Sequence, residues 1–182
     1  MSFDSKPYDI KFIQKSSPTM RDDFLFVEIY TFITDKKQKY IIRAEMYGEN
    51  TFTIKYYASI HKSLDDKYNR LTNQFDAHKI IKTCMNVFVI LIEKYPDASF
   101  AINGSRTIDV ANDKIERKER NQRFRIYSFV IDNFIGRKTF EHYVFPEISS
   151  YILVNRANKD INAHKDRIKE YFVDMFEFDI EI

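Results

Sequence analysis

The sequence predicts an α+β domain in which a twisted antiparallel sheet is packed by three helices, one of them deeply buried. Three observations support this class. Apolar and polar residues alternate along Tyr40–Tyr47 and Phe52–Ala58, which is the period of half-buried strands. From Phe75 to Tyr95 the apolar residues instead recur at the spacing of a helical face. With 182 residues, 44% of them hydrophobic, the chain has the material for a single domain over residues 1–182.

The first third of the chain is predicted to form strands separated by turns. A short strand is expected at Tyr8–Ile13, followed by a polar loop that contains Pro18. Phe24–Ile33 is rich in β-branched and aromatic residues on both alternating faces, which predicts a strand that is covered on both sides. Tyr40–Tyr47 and Phe52–Ala58 alternate more cleanly around a short turn, so a three-stranded meander is the simplest interpretation.

Three helices and further strands are predicted after the meander. The helix at Phe75–Tyr95 is apolar nearly all round in its second half and stops before a proline, so we expect it to lie deep against the sheet. A second helix is predicted from Asn112 or Asp113 to Ile135, and a third from Asp160 to Phe176. The remaining strands, which give a sheet of five to seven, are expected at Ser99–Ile102, Thr139–Phe145 and Tyr151–Val154, with an edge strand or acidic tail at the final FEFDIEI.

Composition excludes several kinds of site. Three glycines are too few and too scattered for a Gly-rich phosphate loop. The single cysteine, Cys84, excludes an intramolecular disulfide and a multi-cysteine zinc site, and its apolar helical surroundings predict a buried thiol. The four histidines lack metal-binding spacing, and His164 lies on an apolar helical stripe where a hydrogen-bonded core histidine is expected. The sequence therefore predicts no catalytic residue, no metal site and no cofactor.

Charge and hydropathy define the expected surroundings of the protein. The 29 basic and 27 acidic side chains give a net charge of +2, so bulk charge does not indicate nucleic-acid binding. The longest apolar stretch, Val87–Ile92, is far shorter than the roughly 20 residues that span a bilayer. The N-terminus has no apolar signal core, and cysteine is nearly absent. We therefore expect a cytoplasmic protein without a membrane segment.

A basic segment between residues 106 and 138 is the most unusual predicted surface, because basic residues outnumber acidic ones there. On the predicted second helix, Arg117, Arg120 and Arg123 recur at helical spacing, close enough to contact successive phosphates. The alternative is a solvated helix end, because two glutamates in this segment each precede an arginine by four residues and can form ion pairs with it.

A second signal for anion binding lies just before this segment. Gly104 and Ser105 follow a predicted strand, and backbone N–H groups in such a turn can surround an anion, although an ordinary loop is the alternative. If Arg106 folds back toward Arg123 and Arg125, the two signals form one basic pocket. The candidate anion-binding or nucleic-acid-binding residues are Gly104, Ser105, Arg106, Arg117, Arg120, Arg123 and Arg125.

Residues 79–131 carry a resemblance to a known family. The run KIIKTCMNVFVILIEKYPDASFAINGS, followed by RFRIYSFVI, resembles small Bacteroidetes proteins that form a domain-of-unknown-function family. The shared features are a long helix ending in KYPDA, a strand, a Gly-Ser turn and an Arg-x-Arg-x-Tyr motif that opens an apolar helix. This chain differs by a charged insertion from Thr107 to Gln122. The resemblance implies a bacterial or mobile-element setting and no catalytic activity, and it groups Gly104, Ser105, Arg123, Arg125 and Tyr127 into one local unit.

The sequence leaves three functions open. The first is a non-enzymatic interaction protein of a bacterium or mobile element, of the accessory, immunity or anti-defence type, which acts through protein contact. The alternative is a nucleic-acid-binding protein that uses the basic segment at residues 106–138. The third is an enzyme, although no catalytic constellation is legible. The expected partners are thus a protein or a nucleic acid, and not a membrane, and no oligomeric state is predicted.

Overall fold

A computed structural model describes residues 6–70 and 76–178 of the chain. The strands are β1 (Lys11–Ser16), β2 (Phe26–Ile33), β3 (Lys39–Tyr47), β4 (Thr51–Ala58), β5 (Ser99–Asn103), β6 (Ile108–Asp109), β7 (Lys114–Ile115), β8 (Phe140–Phe145) and β9 (Ser150–Asn155). The α-helices are α1 (Ala77–Lys94), α2 (Gln122–Phe134) and α3 (Ile161–Phe178).

Seven of these strands form one sheet in the order β1-β2-β3-β4-β5-β9-β8, and β6 pairs with β7 in a separate ribbon. Every neighbouring pair in the large sheet is antiparallel except β4–β5, which is parallel. The parallel pair follows from connectivity, because α1 carries the chain back across the sheet before β5 begins. The predicted α+β class is confirmed, with the meander, a sheet of seven strands and three helices.

The helices cover both faces of the sheet, and two cores result. One core packs α1 and α2 against the sheet, and the rings of Phe88 and Phe100 lie 4.4 Å apart in it. The predicted depth of the first helix is confirmed, because its Val87 and Leu91 have no exposed surface. The other core packs α3 on the opposite face. The expectation that β2 is covered on both faces holds at Val27, which lies in the α3 core, whereas Ile33 at its far end is 57% exposed.

The strands β4 and β5 separate soon after they meet, and we call the opening between them the β4–β5 fork. Their pairing covers only Thr51–Thr53 on β4. On its other side β4 remains paired with β3 as far as Ala58. Within the described ranges, the edge of β4 that faces the fork therefore has no strand partner from residue 54 to residue 58.

The outer strand β1 begins later than predicted. Tyr8 lies in the core outside the strand, where its ring stacks on Phe32 with centroids 5.5 Å apart and its backbone N–H donates to Thr83 Oγ1. The predicted start is wrong because this side-chain anchor replaces strand pairing there. The strand itself is largely exposed, and its pairing register with β2 shifts between Phe12 and Gln14.

The predicted start of the second helix at Asn112 or Asp113 is also wrong, because α2 begins only at Gln122. Asp113 and Arg120 have positive φ angles of 49° and 45°, which a right-handed helix does not allow. Asn121 is the actual N-cap, and its side-chain oxygen accepts the backbone N–H of Phe124. The charged stretch before it forms β7 and turns instead of helix.

The third helix extends slightly beyond its predicted end. Because α3 reaches Phe178, the first three residues of FEFDIEI are helical, and the other four lie outside the described residues. Across the part of the chain that is described, no helix is both long enough and apolar enough to cross a membrane.

Candidate functional site

A cavity of about 230 Å³ lies in the β4–β5 fork. Four consecutive residues of β4, at 53–56, line it. Because neighbouring side chains of a strand point to opposite faces of the sheet, the cavity must face the edge of β4. Its other walls come from residues 65–69, from the segment that follows β5 and from the first turns of α2. Ligands commonly bind beside the carboxyl end of a parallel strand where the sheet opens in this way.

Gly104 forms the contact between the wall after β5 and the start of α2. Its N–H donates to Ser149 O at 2.9 Å, and its carbonyl oxygen accepts the side-chain amide of Asn121. A Cβ atom at this position would lie 2.6 Å from Asn121 Oδ1 and 2.8 Å from the backbone nitrogen of Phe124. Gly104 is therefore required by close packing, and its own N–H is already engaged and does not point to an anion.

Arg123 extends from the first turn of α2 into the cavity. Its Nη1 donates to the carbonyl oxygen of Tyr68, and its Cζ lies 5.4 Å from the centre of the Tyr56 ring. No carboxylate pairs with Arg123 within the described part of the chain. Ser105 and Arg106 line the same cavity. Three of the seven predicted site residues thus converge at the fork, next to Gly104.

The other three predicted arginines lie elsewhere. Arg117, Arg120 and Arg125 are exposed and do not line the cavity. The predicted helical placement of Arg117 and Arg120 is wrong, because both precede α2, whereas anion binding by these arginines stays a prediction. The expected pair between Glu116 and Arg120 is absent from the described contacts, since the Glu116 carboxylate accepts the backbone N–H groups of Thr107 and Gln122 instead.

The charged walls of the cavity are partly neutralised by neighbours. Asp66 forms two short contacts with Arg70, at 2.8 Å and 2.7 Å. Lys55 Nζ lies 3.1 Å from the buried carboxylate of Glu45. Asp65, on the wall formed by residues 65–69, is an exposed carboxylate. The cavity consequently combines a cation that no described carboxylate neutralises with one exposed acidic side chain.

Two tyrosines add hydrogen-bonding groups to the cavity wall. Burial raises the pKa of Tyr56 and raises that of Tyr127 well above its ordinary value, while the positive charge of Arg123 acts in the opposite direction on both. Both phenols therefore stay protonated near neutral pH. Tyr127 donates its hydroxyl hydrogen to Tyr56, which leaves the hydroxyl of Tyr56 able to donate into the cavity. Asp65 and Tyr68 are not among the residues predicted for the anion site, because their segment has no periodic pattern. The aromatic Tyr68 within a charged loop is the signal in the sequence that points to it.

A buried cluster on the α3 side has the composition of a nucleophilic triad. Ser99 Oγ lies 3.3 Å from His164 Nε2, and His164 Nδ1 lies 3.3 Å from Glu49 Oε2. Ser99 has no exposed surface, and its oxygen accepts the backbone N–H of Asn155. Burial lowers the pKa of His164. The cluster ties α3 to the sheet, which confirms the prediction of a hydrogen-bonded core histidine.

The remaining reactive side chains are the thiol of Cys84 and the side chains of the types that bind metals. Cys84 is buried as predicted, and burial raises the pKa of its thiol, which keeps it protonated and unreactive. In the described ranges, no three side chains of His, Cys, Asp or Glu come together in a way that could hold a metal ion.

Comparison of the chain with protein-family models, curated proteins and solved structures finds no match.

Proposed function

We propose that the protein is a non-enzymatic binding protein that acts through protein contact, and that its partner inserts an extended segment into the β4–β5 fork. The observation that carries this proposal is the open edge of β4. Past Thr53 this edge faces a cavity, and within the described residues it pairs with no other strand. An extended peptide can add to such an edge, because main-chain hydrogen bonds supply affinity and neighbouring pockets supply specificity.

The dimensions of the fork suit a short peptide. A strand rises about 3.3 Å per residue, so the unpaired residues 54–56 that line the cavity offer roughly 10 Å for pairing, whereas Tyr57 and Ala58 beyond them are buried. The cavity provides side-chain pockets walled by Ile54, Ile108 and Ile115 together with tyrosines. A bacterial or mobile-element setting, implied by the family that residues 79–131 resemble, is part of the same proposal.

A substitution that fills the fork tests this function. Ser105 is half-buried and lines the cavity, so Ser105→Trp is expected to weaken peptide binding at least about tenfold by occupying the space beside β4. The ligands are peptides selected with the wild-type protein from an unbiased displayed library, and their affinities are measured by fluorescence anisotropy.

The matched control for this substitution is Val110→Trp. Val110 follows in the same connection, is 62% exposed and does not line the cavity. Val110→Trp should bind the selected peptides as the wild type does, and thermal unfolding should show both variants folded. Equal affinity of Ser105→Trp and wild type for every selected peptide contradicts the proposed site.

A second candidate function is nucleic-acid binding, which the exposed arginines favour. In the described part of the chain Arg117, Arg120 and Arg125 form no ion pair, and the expected partner of Arg120, Glu116, is engaged by backbone N–H groups. Three exposed guanidinium groups close in sequence around the start of α2 are suited to phosphate contacts, which position a protein on nucleic acid without reading its sequence.

Charge reversal tests the second candidate. The triple variant Arg117→Glu, Arg120→Glu, Arg125→Glu is expected to reduce the slope of log affinity against log salt for an oligonucleotide by about 3, since each lost phosphate contact lowers it by about 0.9. Reversal of three exposed cations elsewhere, at Arg21, Lys62 and Lys159, is the control of equal charge. No binding of wild type to single- or double-stranded oligonucleotides at low salt excludes this function.

A further inference from the structure

We infer that the partner segment carries a carboxylate and that Arg123 receives it inside the β4–β5 fork. The inference rests on the proposed function, because it assigns the chemistry of the segment that the fork would take. The ligand class is an acidic peptide, in which the carboxylate belongs either to an Asp or Glu side chain or to the free C-terminus.

The arrangement of Arg123 is the first reason. Its guanidinium is positioned by the carbonyl oxygen of Tyr68 on one side and by the ring of Tyr56 on another. A guanidinium has five N–H donors in a rigid planar fork, so the single described hydrogen bond leaves most of them available to a ligand. A half-buried cation that no described carboxylate neutralises is completed by a bound anion.

The surroundings of Arg123 add positive charge and hydrogen-bond donors. Arg106 lines the same cavity, and so does the hydroxyl-bearing Ser105. Tyr56 lines the cavity as well, and burial keeps its phenol in the protonated form that can donate. A carboxylate that enters the fork therefore meets two guanidinium groups and neutral donors.

The acidic wall favours a carboxylate over a phosphate group. Asp65 and Asp66 line the cavity, and only Asp66 has a described cationic partner, Arg70. A phosphate monoester carries close to two negative charges and would be repelled by these carboxylates more strongly than a singly charged carboxylate. The exposed Asp65 can in turn accept N–H groups from a peptide backbone, which a phosphate ester does not offer.

The open edge of β4 favours a peptide over a small organic acid. A carboxylate on Arg123, beside the Tyr56 ring, lies next to the part of β4 that lacks a described strand partner. A peptide that places its acidic group there can continue along residues 54–56 and pair with the strand, which an isolated acid cannot do. A peptide bound in this position accounts for two features together: the Arg123 guanidinium, which no described carboxylate neutralises, and the edge of β4, which has no described strand partner.

A set of matched peptides on wild-type protein tests the inference first. From each selected acidic sequence four peptides are made: the parent, its Glu→Gln or Asp→Asn form, its C-terminal amide and both changes together. Loss of the contacting carboxylate should weaken binding roughly tenfold to a hundredfold, as for a charged hydrogen bond. Loss through the side-chain change identifies an internal acid, and loss through the amide identifies the C-terminus.

Protein variants then locate the carboxylate. Arg123→Gln should weaken the parent peptide by the same factor, and it should add nothing to the loss already caused by removing the peptide's carboxylate. Arg123→Lys keeps the charge without the planar fork and should be intermediate. Arg21→Gln, an exposed arginine away from the cavity, is the control. Thermal unfolding checks that the variants are folded. If they are not, the peptide series, which uses only wild-type protein, still tests the inference.

The outcomes separate the two proposals. In one outcome the selected peptides bind Ser105→Trp more weakly, require no acidic group and bind Arg123→Gln as they bind wild type. This outcome overturns the carboxylate inference and leaves the fork as a peptide site. Peptides indifferent to Ser105→Trp overturn the proposed function itself. Binding of inorganic phosphate or of a mononucleotide that competes with the peptides and depends on Arg123 overturns the assignment to a carboxylate.

Discussion

Replacing Gly104 by alanine is expected to lower the free energy of unfolding by about 3 kcal/mol, measured by urea denaturation at pH 7. The added methyl group would overlap Asn121 Oδ1 and the backbone nitrogen of Phe124. The first atom belongs to an amide that two hydrogen bonds hold in place, and the second is backbone. To relieve the overlap, the start of α2 must move, and the N-cap hydrogen bond from Phe124 to Asn121 weakens with it.

Gly136→Ala is the matched control for this substitution. Nothing lies within 4 Å of the position that its Cβ would take, and its φ angle is not positive. Its unfolding free energy should stay within about 0.5 kcal/mol of wild type or rise slightly, because alanine restricts the unfolded chain. If the two glycine variants are equally stable, the close packing of Gly104 against α2 is not a source of stability.

Glu28→Ala is expected to lower the free energy of unfolding by about 3 kcal/mol. The Glu28 side chain has no exposed surface and accepts hydrogen bonds from Lys94 Nζ, Tyr30 Oη and Tyr95 Oη at 2.5, 2.6 and 2.7 Å. Its removal leaves two phenols without their acceptor inside the protein. Glu141→Ala is the control, because Glu141 pairs with Arg156 at the surface, where such pairs contribute less than about 1 kcal/mol.

The same carboxylate makes stability depend on pH. Burial alone would raise the pKa of Glu28, but the hydrogen bonds from Lys94, Tyr30 and Tyr95 and the charge of Lys94 lower it below its ordinary value of 4.5. A depressed carboxyl pKa contributes stability above the unfolded value, and this contribution is lost as the pH falls through the folded value. The urea concentration at the unfolding midpoint of wild type should therefore decrease as the pH is lowered below about 4.5. The midpoint of Glu28→Gln should decrease less steeply over the same range. Equal steepness contradicts this account.

Elements with a clear apolar period were predictable from the sequence. The meander and α1 have residues that alternate or recur on one face, and burial in the cores follows those periods. The start of α2 was not predictable in this way, because a run of charged residues has no buried face to give a period. Asn112, Asp113 and Asn121 are all good N-cap residues, and the contacts of Asn121 with Gly104 and Ser149, which are distant in sequence, favour the last of them.

The candidate site was predictable in part. The sequence predicts a basic pocket on the condition that Arg106 folds back toward Arg123 and Arg125. Arg106 and Arg123 do line one cavity, whereas Arg125 does not. The partner of Arg123 could not be anticipated, because the carbonyl oxygen of Tyr68 is 55 residues distant in sequence and every residue carries such an oxygen. The fork itself depends on where the parallel pairing of β4 and β5 stops, and strand periodicity contains no information on the length of a pairing.

The outer strand β1 has a consequence for which surfaces can recruit another chain. Its exposed Phe12 and Ile13 would make a flat, regular rim prone to stacking with further copies into fibres. Lys11, Lys15 and the register shift after Phe12 oppose this, since like charges repel and a bulge twists the rim away from a straight template. These features disfavour polymerisation through β1. The unpaired edge of β4 differs because it lies within the β4–β5 fork, where walls on several sides restrict what can pack against it.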